Sequence, residues 1–144
     1  MPDISKIWSV NVNNVGKMFT VAKANIRKFP GGSIPVTGAR GVFGGGQSGG
    51  WRYENIYYIT ISTPGNATYF GNLSVRRSYL AACSSSTRGL FGGGLGVSWE
   101  KTVDYVTIAI PGAVTDFGDL SDIRAFLSAC SNSTRGIFGG GGVV

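Results

Sequence analysis

The chain has 144 residues, of which 24 are glycine and 14% are charged, and its formal net charge is +6. A domain commonly spans about 100–200 residues, so this length excludes a large multidomain enzyme. The chain contains no histidine, which excludes the catalytic triads that need an imidazole, and we expect neither an enzyme nor a bound cofactor or metal.

The first 36 residues carry an 11-residue repeat. The segments 4–14, 15–25 and 26–35 each open with an aliphatic residue and have a lysine in third place. Such a repeat has an apolar edge that it cannot bury by itself, so we predict that residues 1–36 form an oligomerisation and attachment segment. The apolar positions expected to join chains are Ile4, Ile7, Val15, Met18, Ile26 and Phe29.

Two structures fit this 11-residue period. A helix with 3.67 residues per turn would supercoil with a right hand, whereas short strands and turns would stack. We favour strands because residues 10–14 are poor helix formers and Gly16 interrupts the pattern, but both alternatives stay open. The regular lysine spacing predicts a solvated face, so we expect no nucleic-acid partner although this segment is basic.

A second, longer repeat occupies residues 37–144. The sequence RGVFGGG at 40–46 returns as RGLFGGG at 88–94 and as RGIFGGG at 135–141, and residues 56–89 match residues 103–136 without a gap. Runs of β-branched and aromatic residues alternate with Pro-Gly turns, which is typical of short β-strands. Cys83 and Cys130 occupy the same repeat position, which favours packing of free thiols over a disulfide.

The order of these segments resembles kelch-type β-propeller repeats over about residues 38–144. A strand ending in a glycine run (LFGGG, IFGGG) precedes an aromatic strand (DYVTIA), then an aromatic and a leucine before a basic residue (FGDLSDIR), then a small-residue strand (LSACS). Phe70 and Phe117 stand where many kelch repeats carry Trp. The resemblance implies an all-β fold, a partial β-propeller of about two four-stranded blades. The expected repeat-structural residues are Arg40, Arg88, Arg135, Phe43, Phe91, Phe138, Gly44, Gly92 and Gly139.

Two blades cannot close a ring, and an open pair would leave sheet edges and apolar faces exposed. We therefore expect closure by other copies of the chain. A homotrimer is favoured, in which three chains give two blades each around the axis of the N-terminal segment. The RGxFGGG motif occurs once more than two blades require, so the first or the last copy could instead complete a blade of a neighbouring chain.

Several candidate sites have a plainer structural interpretation. The glycine runs lack the Lys-Ser/Thr ending of a phosphate-binding loop, so we predict tight packing there. The three repeat arginines could hold an anion, but pairing with acids or carbonyl groups is favoured. Asp116, Asp119 and Asp122 could hold a cation, although solvated loop positions are the preferred interpretation. Exposed aromatic residues could stack on sugars or anchor a protein interface.

A short repetitive shaft followed by Gly-rich, kelch-like repeats resembles bacteriophage virion appendage proteins such as tail fibres and spikes. This resemblance implies a structural virion protein made in the host cytoplasm, with other virion proteins and a host-surface glycan as partners. No run of about 18–20 apolar residues is present, so we expect no membrane insertion. A capsid decoration protein and a glycan-binding or glycan-cleaving propeller are the alternatives. Cleavage would require a suitably spaced pair of carboxylates.

Overall fold

The structure, a computed structural model, describes residues 40–142, and the predictions made for residues 1–36 lie outside this range. Within it the chain contains β-strands and no helix, so the all-β prediction is confirmed. The strands are β1 (Arg40–Gly44), β2 (Gln47–Ser48), β3 (Trp51–Arg52), β4 (Asn55–Thr60), β5 (Thr68–Asn72), β6 (Ala81–Ser84), β7 (Arg88–Gly92), β8 (Thr102–Thr107), β9 (Thr115–Asp119), β10 (Ala125–Ser131) and β11 (Gly136–Gly142).

The strands form three sheets and one small hairpin. The first sheet has the order β1-β4-β5, the second β6-β7-β8-β9 and the third β10-β11, while β2 and β3 pair as the hairpin. Every strand pair is antiparallel. The described residues therefore contribute strands to three sheets, of which only the second has four strands.

The sequence repeat is also a repeat of strand pairing. Arg40 pairs with Thr60 at the start of β1, and Arg88 pairs with Thr107 at the start of β7. The register shifts at the same place in the first and second sheets, after Ile56 in β4 and after Val103 in β8. Since β10 and β11 match β6 and β7 in sequence, the third sheet holds the first half of one further unit.

The glycine runs carry the chain out of β1 and β7 through left-handed turns. Gly45 and Gly93 have φ angles of +72° and +64°, a conformation that glycine adopts without steric cost. The N–H group of Gly93 donates to the carbonyl oxygen of Thr102 at 3.1 Å, and that of Gly94 donates to Arg124 at 2.9 Å. These bonds tie the end of β7 to the first residue of β8 and to the loop after β9.

We expect Gly93→Ala to destabilise the fold. A residue with a Cβ in the left-handed region costs roughly 1–2 kcal/mol, and the Cβ at 93 would also lie 2.6 Å from the Arg124 carbonyl oxygen. Urea unfolding measures the loss, with Gly112→Ala as the control because its Cβ would meet no atom within 4 Å. Equal unfolding midpoints for the two variants would contradict this role of Gly93.

A phenylalanine of the second sheet and one of the third sheet each pack on a glycine of the preceding sheet. A Cβ on Gly44 in β1 would lie 3.1 Å from the Phe91 ring, and a Cβ on Gly92 in β7 would lie 2.8 Å from the Phe138 ring. The core between the first and second sheets consists of Ile56, Phe70, Leu73, Phe91 and Val106. Glycine at these strand positions thus lets neighbouring sheets approach closely.

Equivalent residues of the second and third sheets lie side by side. The Ser131 hydroxyl donates to the carbonyl oxygen of Ser84 at 2.7 Å, and the N–H group of Phe126 donates to Tyr79 at 2.9 Å. The rings of Tyr79 and Phe126 stack with centroids 4.2 Å apart, and both residues have a positive φ, 57° and 60°. Repeat partners 47 positions apart are therefore neighbours at β6 and β10.

Candidate functional site

The most buried polar group is an ion pair between the first and second sheets. Arg77, which follows β5, places Nη2 2.8 Å from Asp104 Oδ2 in β8, and both side chains are 0% exposed. Arg77 also donates to the carbonyl oxygens of Thr102 and Phe91. Asp104 Oδ2 accepts from the N–H and hydroxyl groups of Ser74 at 3.0 and 2.8 Å.

Electrostatics agree with a structural role for this pair. Burial lowers the pKa of the Arg77 guanidinium by desolvation, while the negative charges of Asp104 and Glu100 raise it. A buried charge is tolerated when it is paired and hydrogen-bonded, and the partners named above satisfy both terminal nitrogens of Arg77 and Oδ2 of Asp104, whereas Arg77 Nε and Asp104 Oδ1 have no hydrogen-bond partner among the described residues. The pair fixes the loop after the first sheet onto the second sheet. Sequence analysis missed it because Tyr57 occupies the position of Asp104 in the preceding repeat.

Two of the three repeat arginines, Arg40 and Arg88, make the same contact with an equivalent tyrosine of the neighbouring strand. Arg40 stacks on the Tyr58 ring at 4.4 Å and Arg88 on the Tyr105 ring at 4.7 Å. Arg40 Nη1 also donates to the carbonyl oxygens of Ile108 and Ala109, which ties the first sheet to the second. Arg40 therefore makes structural contacts within the first sheet and with the residues that follow β8 of the second sheet.

Two clefts separate the successive sheets. The cleft between the first and second sheets has a volume of about 280 Å³ and is lined by Arg40. The cleft between the second and third sheets, of about 290 Å³, brings together Arg88, Arg135 and Phe117 with the hydroxyl groups of Ser85 and Thr134. Its two guanidinium groups and hydroxyl groups lie beside a larger apolar surface that includes Leu90 and Phe117.

An exposed aromatic groove lies on the first sheet. Phe43, Tyr53, Asn55 and Tyr57 line it, and its volume is about 370 Å³. Tyr69 extends the surface, since its ring packs edge-to-face on Tyr57 at 5.9 Å. Aromatic faces beside an amide group suit the stacking and hydrogen bonding of a polar ring such as a sugar. We call these five residues the aromatic groove.

The acidic residues after β8 serve local contacts. Asp116 Oδ1 accepts from the N–H group of Gly118 at 2.9 Å, and Asp119 pairs with Lys101 at 2.9 Å on the surface. The hydrogen bond from Lys101 to Asp119 raises the pKa of the lysine. Between residues 40 and 142 the structure shows no group of three side chains able to hold a metal ion.

Both cysteines are free thiols. Burial raises the pKa of Cys83, and so does its neighbour Cys130, so the thiolate is disfavoured at Cys83. A Cβ on Gly136 in β11 would lie 2.7 Å from Cys83 Sγ, which shows that the thiol packs directly against the third sheet.

No protein-family model and no curated protein matches the sequence. Among residues 40–142 the structure contains no helix long and apolar enough to span a bilayer.

Proposed function

We propose that the chain is a non-enzymatic structural component of a bacteriophage virion appendage, similar to a tail fibre or spike. Its three sheets would be blades of a kelch-like β-propeller that is completed by other copies of the chain. Residues 1–36 would serve both to join copies of the chain and to attach the ring to other virion proteins. The observation that carries this proposal is the repeated contact between equivalent residues of neighbouring sheets, together with unpaired surfaces at both ends of the series.

Packing between the sheets supports a propeller. Each Gly–Phe contact joins one sheet face-to-face with the next, and the same contact occurs twice, at Gly44 with Phe91 and at Gly92 with Phe138. The contact between β6 and β10 keeps one edge of the second sheet close to one edge of the third sheet. Repeated sheets that converge at one edge form a ring when enough of them are present.

The number of sheets in one chain sets how many copies a closed ring needs. About two blades per chain predict a homotrimer with six blades. If each chain contributes strands to three sheets, two copies give six blades and three copies give nine, whereas propellers typically have four to eight. We therefore favour two copies for the ring.

A host-surface glycan is the ligand that we propose, but in a closed ring it would bind outside the aromatic groove. Phe43 is the repeat equivalent of Phe91, which is 2% exposed because it packs on Gly44 of the preceding sheet. Tyr57 is the equivalent of Asp104, which is buried against the preceding sheet. The third sheet of another copy would cover the groove in the same way, so its exposed rings support closure of the ring. Adhesion to a host surface would require no catalytic carboxylate pair.

The location of the protein in the particle tests this function. Phage particles whose genome encodes this chain are labelled with an antibody against it and imaged by electron microscopy, and mass spectrometry is applied to separated heads and tails. We expect the label and the peptides on the tail. A location on the head would support the capsid decoration alternative instead, and absence from the particle would overturn the virion role.

A further inference from the structure

Within residues 40–142, strand β11 of the third sheet has one unpaired edge, and part of the second sheet is uncovered. Strand β7 pairs with both β6 and β8, whereas its repeat equivalent β11 pairs with β10 alone among the described residues. On the second sheet Phe117 is 56% exposed, whereas the equivalent Phe70 of the first sheet is 3% exposed. The third sheet lacks the strands that would cover this surface.

The corresponding contacts of the first sheet show what is missing. Phe70 packs in a core with Val106 of β8 and Val114 before β9, and Gly71 touches the carbonyl group of Gly112 in the turn between these strands. Gly118, the equivalent of Gly71, has open space around it. A strand-turn-strand segment similar to β8–β9 would therefore fill the gap.

Arg124, the repeat equivalent of Arg77, also indicates that a strand is missing beside the third sheet. Arg77 is buried on Asp104, which belongs to β8 of the next sheet. Arg124 stands 47 positions later and is partly exposed, donating to the carbonyl oxygen of Gly140 at 2.9 Å. Its guanidinium thus lies at the edge where the next third strand would run.

The sequence contains a third copy of the pattern that characterises β8. Three apolar residues and a glycine share one spacing in three places: Ile7, Val10, Val12 and Gly16; Ile56, Ile59, Ile61 and Gly65; and Val103, Val106, Ile108 and Gly112. In β8 and directly after it, all three apolar members are buried. The three copies begin 49 and 47 residues apart, and the RGxFGGG motifs are 48 and 47 residues apart.

We propose that residues 6–21 of a second copy of the chain complete the third sheet, with residues 6–12 pairing antiparallel with β11. A second copy is required because three sheets are fewer than the four that the smallest usual propeller contains. This inference rests on the ring proposed above and names the segment that closes it. It also gives the apolar residues Ile7 and Val10 a partner, the uncovered face around Phe117.

A lysine substitution in the proposed strand tests the burial of its apolar face. Val10 corresponds to Val106, which is 2% exposed, and Asn11 corresponds to the exposed Thr107. We expect Val10→Lys to weaken self-association at least tenfold in sedimentation velocity, whereas Asn11→Lys leaves it unchanged. Equal self-association of the two variants and the unsubstituted chain would overturn the proposed contact.

Cysteine cross-linking tests the partner and the register. In the second sheet Leu90 pairs with Tyr105, and the equivalent positions in the proposed sheet are Ile137 and Ser9. A tagged chain with Ile137→Cys is co-expressed with an untagged chain with Ser9→Cys, and alanine replaces both native cysteines in each chain. We expect a covalent dimer of one tagged and one untagged chain after mild oxidation.

The control is the double variant Leu90→Cys/Tyr105→Cys, which should close a disulfide within one chain. If the control closes and the two chains co-purify without forming the covalent dimer, the ring is retained and the proposed segment is wrong. If the two chains do not co-purify and both are monomeric, the ring and the segment are both wrong.

Discussion

Asp104→Ala is expected to lower the free energy of unfolding by about 3–5 kcal/mol, because removing one partner of a buried ion pair leaves the other charge uncompensated. Arg77 would remain between the two sheets with no carboxylate, and the Ser74 hydroxyl and N–H groups would lose their acceptor. Urea unfolding followed by tryptophan fluorescence measures the change.

Asp119→Ala is the matched control, since Asp119 forms the other ion pair of the described residues, with Lys101 on the surface. Exposed ion pairs contribute little, so this variant should unfold close to the unsubstituted protein. The double variant Arg77→Met/Asp104→Leu should recover much of the stability lost in Asp104→Ala. Equal midpoints for Asp104→Ala and Asp119→Ala would show that the buried pair does not hold the sheets together.

Phe91→Ala should destabilise the protein to a similar extent, about 3–5 kcal/mol for a fully buried phenylalanine. The Phe91 ring is 2% exposed and lies in the core between the first and second sheets, on Gly44 and beside Ile56. The same urea titration measures the loss.

Ile110→Ala serves as the control because Ile110 is 64% exposed, and exposed substitutions usually change stability by less than about 0.5 kcal/mol. If Phe91→Ala unfolded at the same urea concentration as Ile110→Ala, the two sheets would not share a core. The glycine positions in β1 and β7 would then need another explanation.

Much of the strand pattern could be predicted because it depends on local chemistry that repeats. The runs of β-branched and aromatic residues in β4 and β8 and the Pro-Gly turns that follow are visible at a constant offset of 47 residues. The two-residue side-chain period of a strand determines which residues share a face. The similar strands β4 and β8 therefore pair with β5 and β9 in the same register, with a shift at the equivalent position.

Contacts between neighbouring repeats could not be predicted, because some of the residues that form them differ in type from their equivalents in the other repeat. Asp104 is buried on Arg77, but its equivalent in the first repeat is Tyr57. The sequence therefore does not repeat this acid, and nothing in the repeat pattern indicates an ion pair. The positive φ of Tyr79 and Phe126 is likewise set by the stacking of neighbouring sheets, since aromatic residues rarely adopt this conformation by themselves.

The number of sheets could not be predicted either, because the boundaries of the sequence repeat do not coincide with the boundaries of the sheets. Two complete matching segments suggested about two blades, whereas the strands pair across the segment boundaries, so that β6 and β7 join β8 and β9. A unit therefore starts in one sequence repeat and ends in the next. Residues 125–142 form a sheet of two strands among the described residues, and the surface beside it is the one we expect a second copy to cover.

The mass of the intact protein in solution tests the central claim most directly, that one chain supplies only part of a closed ring. Native mass spectrometry or sedimentation equilibrium at micromolar concentration should report two copies of the 15.1 kDa chain. A monomer of 15.1 kDa at the same concentration would contradict the claim.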